Sequence, residues 1–139
     1  MLANMKDFER WHILKCEIDA NRNVPVFSER EIWWCSIGTN VGSEEDGKND
    51  RFERPVLIVR KFNHDMFWGL PITSSLREGL FFYPIYLDGQ IRTILLSHLR
   101  LFSPKRFRKY MGCIKSSEFK EVKTQLGKIL GLQTEIPLT

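Results

Sequence analysis

The chain has few cysteines, no cluster of metal-ligating residues and no long apolar run. Its three cysteines, Cys16, Cys35 and Cys113, are an odd number, lie far apart and lack a Cys-x-x-Cys spacing. This argues against a disulfide framework and against a zinc knot. The longest apolar stretch, residues 80–87, is interrupted by Pro84, and no leader-like segment opens the chain. We therefore expect a cytoplasmic protein in a reducing compartment, with no membrane segment, no metal and no cofactor.

The composition is that of a folded, basic protein. The chain has 139 residues, of which 42% are hydrophobic and 12% aromatic, and its formal net charge is +4. This length suits a single domain that buries roughly 68% of its unfolded surface. The positive charge favours an anionic partner such as a nucleic acid.

An amphipathic helix is predicted near the start of the chain. Asn4 or Asp7 can cap it, and it should end near Ala20, before a polar stretch that contains Pro25. Four apolar residues at helical spacing fall on one side of it: Phe8, Trp11, Leu14 and Ile18.

The strongest strand signal lies at residues 54–61. Pro55 lacks an N–H, which predicts that it opens the strand and leaves Arg54 extended at the strand's entrance. Residues 56–59 are all aliphatic, as in a strand that is covered on both faces. Arg60 and Lys61 mark its return to water.

The rest of the chain reads as short strands followed by a helix. A hairpin turn is predicted at residues 63–65, an edge strand or a bulge at Pro84, a tight turn at Asp88-Gly89 and a helical turn after Ser103. The predicted strands cover residues 31–37, 56–62, 66–72, 80–87, 92–99 and 109–114, and a helix runs from Ser116 or Ser117 to Gly131. This order predicts a mainly β protein with helices (α+β), built on a small, strongly curved sheet or barrel.

A polar loop of sixteen residues, 38–53, separates the first two strands. Such a long connection is unusual in a small domain, and loops of this kind are commonly functional or mobile.

Several motifs, in order from about residue 29 to 131, resemble the PemK/MazF family of toxin endoribonucleases. They are Glu31-Ile32-Trp33-Trp34, Gly42-Ser43-Glu44, Arg54-Pro55-Val56-Leu57-Ile58-Val59, Pro71-Ile72-Thr73-Ser74 and Leu95-Leu96-Ser97-His98-Leu99-Arg100. The resemblance implies an SH3-like barrel at residues 29–139 with a C-terminal helix, and it leaves residues 1–28 as an N-terminal helical extension.

The resemblance also implies a function. Family members are homodimeric toxins of the mRNA interferase type, which cut single-stranded RNA without metal, leave a cyclic phosphate and are neutralised by a cognate antitoxin. Operator DNA would be bound only through that antitoxin. A non-catalytic module that binds nucleic acid or an acidic peptide on the same barrel is the alternative, because a fold does not fix a function.

Cleavage by attack of the ribose 2′-hydroxyl needs a base and groups that stabilise charge on the phosphorane. By resemblance, Arg54 is the active-site arginine and Thr73 the active-site hydroxyl residue. Glu44 is the candidate base, although the lengthened loop leaves open whether Glu44 or Glu45 occupies the family's glutamate position. The remaining candidates for binding substrate are Glu45, Ser74, Ser75, Lys48, Arg51 and His98.

Structural roles compete with these assignments. Arg54 can be a surface cation that flanks a strand, and Thr73 an ordinary strand residue. His98 can be a half-buried residue hydrogen-bonded in a sheet or dimer contact. The N-terminal helix either closes one end of the barrel or covers the RNA groove or the antitoxin surface.

Overall fold

The computed structural model describes residues 6–132, which form two helices and seven strands. None of the helices in this range is long and apolar enough to cross a membrane. In chain order the elements are α1 (Phe8–Ala20), β1 (Glu31–Ser36), β2 (Glu53–Lys61), β3 (Phe67–Thr73), β4 (Phe82–Leu87), β5 (Gln90–Leu95), β6 (Arg100–Phe102), β7 (Phe107–Cys113) and α2 (Ser116–Ile129). Short 3₁₀ turns lie at Leu96–His98 and Pro104–Arg106.

The seven strands form one antiparallel sheet in the order β4-β5-β3-β2-β1-β7, with β6 pairing with β3. The two ends of β3 have different neighbours: Phe67 and Gly69 pair with β6, whereas Ile72 and Thr73 pair with β5. This change of partner accompanies the strong curl of the sheet into a half-barrel. The predicted fold class, mainly β with helices on a strongly curved sheet, is confirmed.

The middle of β2 is buried on both faces, as its aliphatic run predicts. Leu57 and Val59 belong to the larger core cluster, which also contains the buried residues of α2. Val56 and Ile58 belong to a second cluster rich in phenylalanine. Alternate residues of a strand point to opposite faces, so one strand supplies both cores.

The entrance of β2 differs from the prediction. The strand begins at Glu53, so Pro55 is its third residue and pairs with Trp34 of β1. On the other side, the ladder between β2 and β3 begins only at Val56 and Pro71. Pro55 therefore lies just beyond that ladder, where its missing N–H breaks no bond to β3.

One further boundary is corrected, and one strand is added. The predicted strand at residues 92–99 ends at Leu95, because Leu96–His98 forms a 3₁₀ turn whose Leu96 is buried in the core that includes α2. The chain then returns to β3 through the short strand β6, which the sequence pattern did not indicate.

The turn and cap signals have mixed outcomes. Asp88 and Gly89 both have positive φ, as the predicted hairpin turn requires, and β4 with its Pro84 lies at the sheet edge. Helix α2 begins at Ser116 with Lys115 as its N-cap, so neither serine caps it, and Gly131 follows its end at φ +78°. Its buried residues are Phe119, Val122 and Leu126.

Helix α1 spans nearly the predicted range. The Asp7 side chain caps it by accepting a bond from the Arg10 amide at 3.1 Å, and the alternative cap Asn4 lies outside the described residues. Its buried residues Trp11 and Leu14 pack with Phe52 in a small cluster of their own. The helix thus packs against the base of the β1–β2 connection, apart from the two main cores.

Gly69 packs against the phenylalanine-rich cluster, and a side chain there has no room. A Cβ at this position would lie 2.6 Å from Val56 Cγ1 and 2.9 Å from Phe102 Cδ2. We expect Gly69→Ala to lower the free energy of unfolding by about 1–3 kcal/mol through overpacking, as measured by urea denaturation. Gly112→Ala is the matched control, because its nearest contact is the end of the Leu87 side chain at 3.3 Å. Equal stability of the two variants would contradict the packing argument.

Candidate active site

Arg54 and Thr73 lie side by side at one end of the sheet. The last pair of the β2–β3 ladder is Val56 and Pro71, and Arg54 and Thr73 lie two residues beyond it, each on its own strand. Arg54 Nη1 lies 3.4 Å from Thr73 Oγ1. The two side chains come from positions nineteen residues apart. Only the antiparallel register brings them together.

Glu45, from the long β1–β2 loop, completes this group. Its Oε1 lies 2.7 Å from Arg54 Nη2, and the two side chains are only 14% and 11% exposed. Arg54 Nε also donates to the backbone oxygen of Asp46 at 2.6 Å. Three nitrogens of the guanidinium therefore have partners, two of them on the loop. A buried cation needs such partners, because leaving it unpaired away from water is costly.

The loop is folded back over the site by its own side chains. Asp46 Oδ1 accepts a bond from the Asn40 amide at 2.6 Å, and Asn40 Nδ2 donates to the Glu45 carbonyl at 2.7 Å. The backbones of Lys48 and Glu53 pair in an isolated antiparallel β-bridge where the loop leads into β2. These bonds hold the segment that carries Glu45 against Arg54.

Thr93 supports the site from the neighbouring strand β5, where it pairs with Thr73. Its hydroxyl donates to the Ser75 carbonyl at 2.9 Å and accepts a bond from the Arg77 amide at 3.3 Å. The Ser75 amide in turn donates to Thr73 Oγ1 at 3.3 Å. Thr93 is not among the candidates predicted from the sequence, because only the register of β3 and β5 brings it next to Thr73.

A cavity of about 470 Å³ opens beside this group, and Glu45 is part of its wall. Other polar residues lining it include Glu44, Ser97, His98 and Arg100. Burial lowers the pKa of Arg100, and the Glu44 carboxylate opposes that shift. The guanidinium of Arg100 also lies 4.6 Å from the centre of the Phe102 ring. The cavity thus offers both a positively charged group and negatively charged groups for hydrogen bonding next to the ion pair of Arg54 and Glu45.

The other predicted site residues are distributed around this centre. Glu44 Oε1 accepts a bond from the Val41 amide at 3.0 Å, and Glu44 lines the cavity without pairing with Arg54. His98 is half-buried, with Nε2 3.4 Å from the Ser43 carbonyl oxygen. Ser74 is exposed directly after Thr73.

Lys48 and Arg51 lie elsewhere on the loop. Lys48 is exposed at the bridge to Glu53. Arg51 lines a separate cavity of about 330 Å³ together with residues of α1 and Arg108. Among residues 6–132, no three or more His, Cys, Asp and Glu side chains form a group that could hold a metal ion.

Comparison with known proteins identifies the family of the chain. Residues 28–130 match a family model described as "PemK-like, MazF-like toxin of type II toxin-antitoxin system". No curated protein matches the chain. The match begins after the end of α1.

Solved structures of such toxins have the same fold at low sequence identity. MazF from Deinococcus radiodurans is 21% identical with a TM-score of 0.61, over 79% of this chain and 99% of that one. The Mycobacterium tuberculosis toxin MazF-mt6 is 15% identical with a TM-score of 0.59, over 75% and 99%. An endoribonuclease from a mycobacterial species, in complex with its cognate antitoxin, is 13% identical with a TM-score of 0.62, over 79% and 100%.

The nearly buried pair of Glu45 and Arg54 makes a stability prediction. Glu45→Gln keeps the shape of the side chain but removes its charge, so it leaves a buried guanidinium without its counter-ion. We expect this change to lower the free energy of unfolding by about 1–3 kcal/mol in urea denaturation. Glu44→Gln is the control, because Glu44 is exposed and glutamine can still accept the Val41 bond. Its effect should stay below about 0.5 kcal/mol. A larger loss for Glu44→Gln than for Glu45→Gln would contradict this description of the site.

Proposed function

Because the chain belongs to the family of PemK-like, MazF-like toxins of type II toxin-antitoxin systems, we propose that it is an endoribonuclease that cuts single-stranded RNA without a metal ion. The observation that carries the proposal is the convergence of Arg54, Thr73 and Glu45 at one end of the curved sheet. A cation, a hydroxyl and a carboxylate within hydrogen-bonding reach are the groups that phosphodiester cleavage by a 2′-hydroxyl requires.

Arg54 and Thr73 act on the phosphate. A guanidinium is a permanent cation whose parallel N–H groups match two phosphate oxygens, so Arg54 stabilises the extra charge of the phosphorane. The Thr73 hydroxyl is held by its bond with the Ser75 amide and by Arg54 itself. It supplies a second, fixed contact at the same phosphate.

Glu45 is the better candidate for the base. Its carboxylate contacts Arg54, whereas the carboxylate of Glu44 bonds the Val41 amide. In the proposed step Glu45 takes the proton of the 2′-hydroxyl, and the 2′ oxygen forms a bond to phosphorus. The bond from phosphorus to the 5′ oxygen then breaks, and that oxygen takes a proton from solvent. The products are a cyclic 2′,3′-phosphate and a free 5′-hydroxyl.

The cavity beside Glu45 is proposed to hold the nucleotide next to the cleaved bond. Its volume of about 470 Å³ is sufficient for one nucleotide. Arg100 supplies positive charge, and His98 supplies ring nitrogens for a base edge or phosphate. This use of the cavity accounts for a half-buried histidine and an arginine beside the reaction centre.

The partners follow from family membership. The mycobacterial endoribonuclease and the MazF of Deinococcus radiodurans are both found in complexes with antitoxins. We propose that this toxin is likewise neutralised by a cognate antitoxin, acts as a homodimer in the cytoplasm, and meets operator DNA only through the antitoxin. Residues 29–139 are proposed as the toxin domain and residues 1–28 as its N-terminal extension, since the family match starts at residue 28.

The roles of Arg54 and Thr73 can be tested by conservative changes. We expect Arg54→Lys and Thr73→Val each to slow cleavage about a hundredfold, because each removes one contact to the transition state. The measurement is single-turnover cleavage of labelled single-stranded RNA in excess chelator, with folding checked by circular dichroism. Arg60→Lys is the control, since Arg60 is exposed on the same strand.

Two results would overturn this assignment. Wild-type rates for both folded variants would remove Arg54 and Thr73 from the reaction. RNA binding by the unaltered protein without any product, at every RNA sequence tested, would favour the non-catalytic binding module.

Arg100 should act on binding more than on chemistry. We expect Arg100→Gln to raise KM about tenfold and to leave kcat nearly unchanged, because the residue lines the cavity without contacting Arg54 or Thr73. The slope of the logarithm of the RNA-binding constant against the logarithm of the salt concentration should fall in magnitude by about one. Arg60→Gln serves as the matched control. A fall in kcat at unchanged KM would contradict the proposed binding role.

A further inference from the structure

The proposed catalytic residues are closed off from solvent. Counted over the whole residue, Arg54 is 9% exposed and Thr73 is 2% exposed. Glu45 and the backbone of Asp46 cover the guanidinium through direct bonds. An RNA phosphate can therefore bind the guanidinium only after the loop segment 39–47 shifts enough for Glu45 and Asp46 to release it.

Lys6, which lies outside the toxin-family match, bonds to this loop segment. Lys6 Nζ lies 2.9 Å from Asp46 Oδ2 and 2.5 Å from the Asn40 carbonyl oxygen. Asn40 and Asp46 are the two residues that bond to each other within the loop, and Asp46 is also the backbone partner of Arg54. Lys6 thus bonds directly to the segment that closes the site.

Helix α1, which follows Lys6, packs against both ends of the β1–β2 loop. The Trp11 ring lies 5.5 Å from the Phe52 ring, centre to centre. On the other side it lies against Gly38, where a Cβ would come within 2.1 Å of the indole. Gly38 has φ +88°, so its lack of a side chain serves both the backbone conformation and the close approach of Trp11.

The far end of α1 is fixed to the barrel. Lys105, in the 3₁₀ turn before β7, donates to the Asp19 carbonyl at 2.8 Å. Trp11 also lies under Arg106 of that turn, 5.8 Å from its guanidinium carbon. The helix therefore connects the turn between β6 and β7 to the loop that covers Arg54.

We propose that residues 6–20 are an autoinhibitory latch that holds the loop segment 39–47 closed over Arg54 and Thr73. RNA binds after Lys6 releases Asp46 and Asn40, so apparent activity is the activity of the open form multiplied by the fraction of molecules that are open. Its effect on RNA cleavage rests on the proposed function, whereas closure of the loop over Arg54 does not. The ion pair of Lys6 and Asp46 is about one-third exposed, with side-chain values of 30% and 32%, which suits a contact that opens readily.

The test compares Lys6→Met with Lys15→Met in the full chain. Both changes remove one lysine charge near the N-terminus, but Lys15 is an exposed residue of α1 that does not bond to the loop. The first measurement is the rate at which phenylglyoxal modifies Arg54, followed by mass spectrometry of its peptide. The second is single-turnover cleavage of single-stranded RNA at subsaturating protein.

For Lys6→Met we expect both rates to rise about two- to fivefold, the factor by which loss of a partly exposed ion pair shifts an equilibrium. Lys15→Met should change neither rate, and Lys6→Arg should restore the closed state. Arg54 modification that is unchanged in Lys6→Met would overturn the latch. Faster modification with slower cleavage would also overturn it, because the loop would then be positioning catalytic groups. Faster modification with no cleavage by any variant would support the latch and instead refute the proposed nuclease.

Discussion

The bonds around the Arg54 guanidinium join parts of the chain that are otherwise separate. A buried cation must have its N–H groups satisfied, because an unpaired charge away from water costs several kcal/mol. Here Glu45, the Asp46 backbone and Thr73 satisfy them. The requirement therefore fixes the end of β2 against β3 and draws the long β1–β2 loop down over both strands. The position of the loop, the closure of the site and the proposed role of α1 all depend on it.

The same requirement links stability to the proposed reaction. A phosphate offers the guanidinium the kind of acceptor that the Glu45 carboxylate now provides, so RNA can replace that carboxylate without leaving the cation unpaired. In the proposed reaction the displaced carboxylate is the base for the 2′-hydroxyl beside it. Opening of the loop thus exchanges one set of satisfied bonds for another. A contact as weak as the Lys6–Asp46 pair can therefore influence the balance between closed and open forms.

Much of the fold was predictable because its signals are local. The aliphatic run of β2, the Asp88-Gly89 turn and the glycine after α2 each depend on the conformational preferences of a few neighbouring residues. Signals that depend on distant partners were less reliable. Leu95 ends β5 because the next residues turn to bury Leu96, and Pro55 lies inside β2 because the ladder with β3 starts one residue later. Both facts belong to the curved sheet and cannot be seen in the local pattern.

The sequence by itself determined the family, the order along the chain of every strand except β6, and the choice of Arg54 and Thr73 as candidates. Only the tertiary structure decided that Glu45, and not Glu44, reaches Arg54, that Thr93 supports the loop after Thr73, and that Lys6 bonds to the covering loop. The physical reason is that motif order is encoded in neighbouring residues, whereas these contacts depend on strand register and on the path of a long loop. A shift of one residue in either would change which side chain faces the guanidinium.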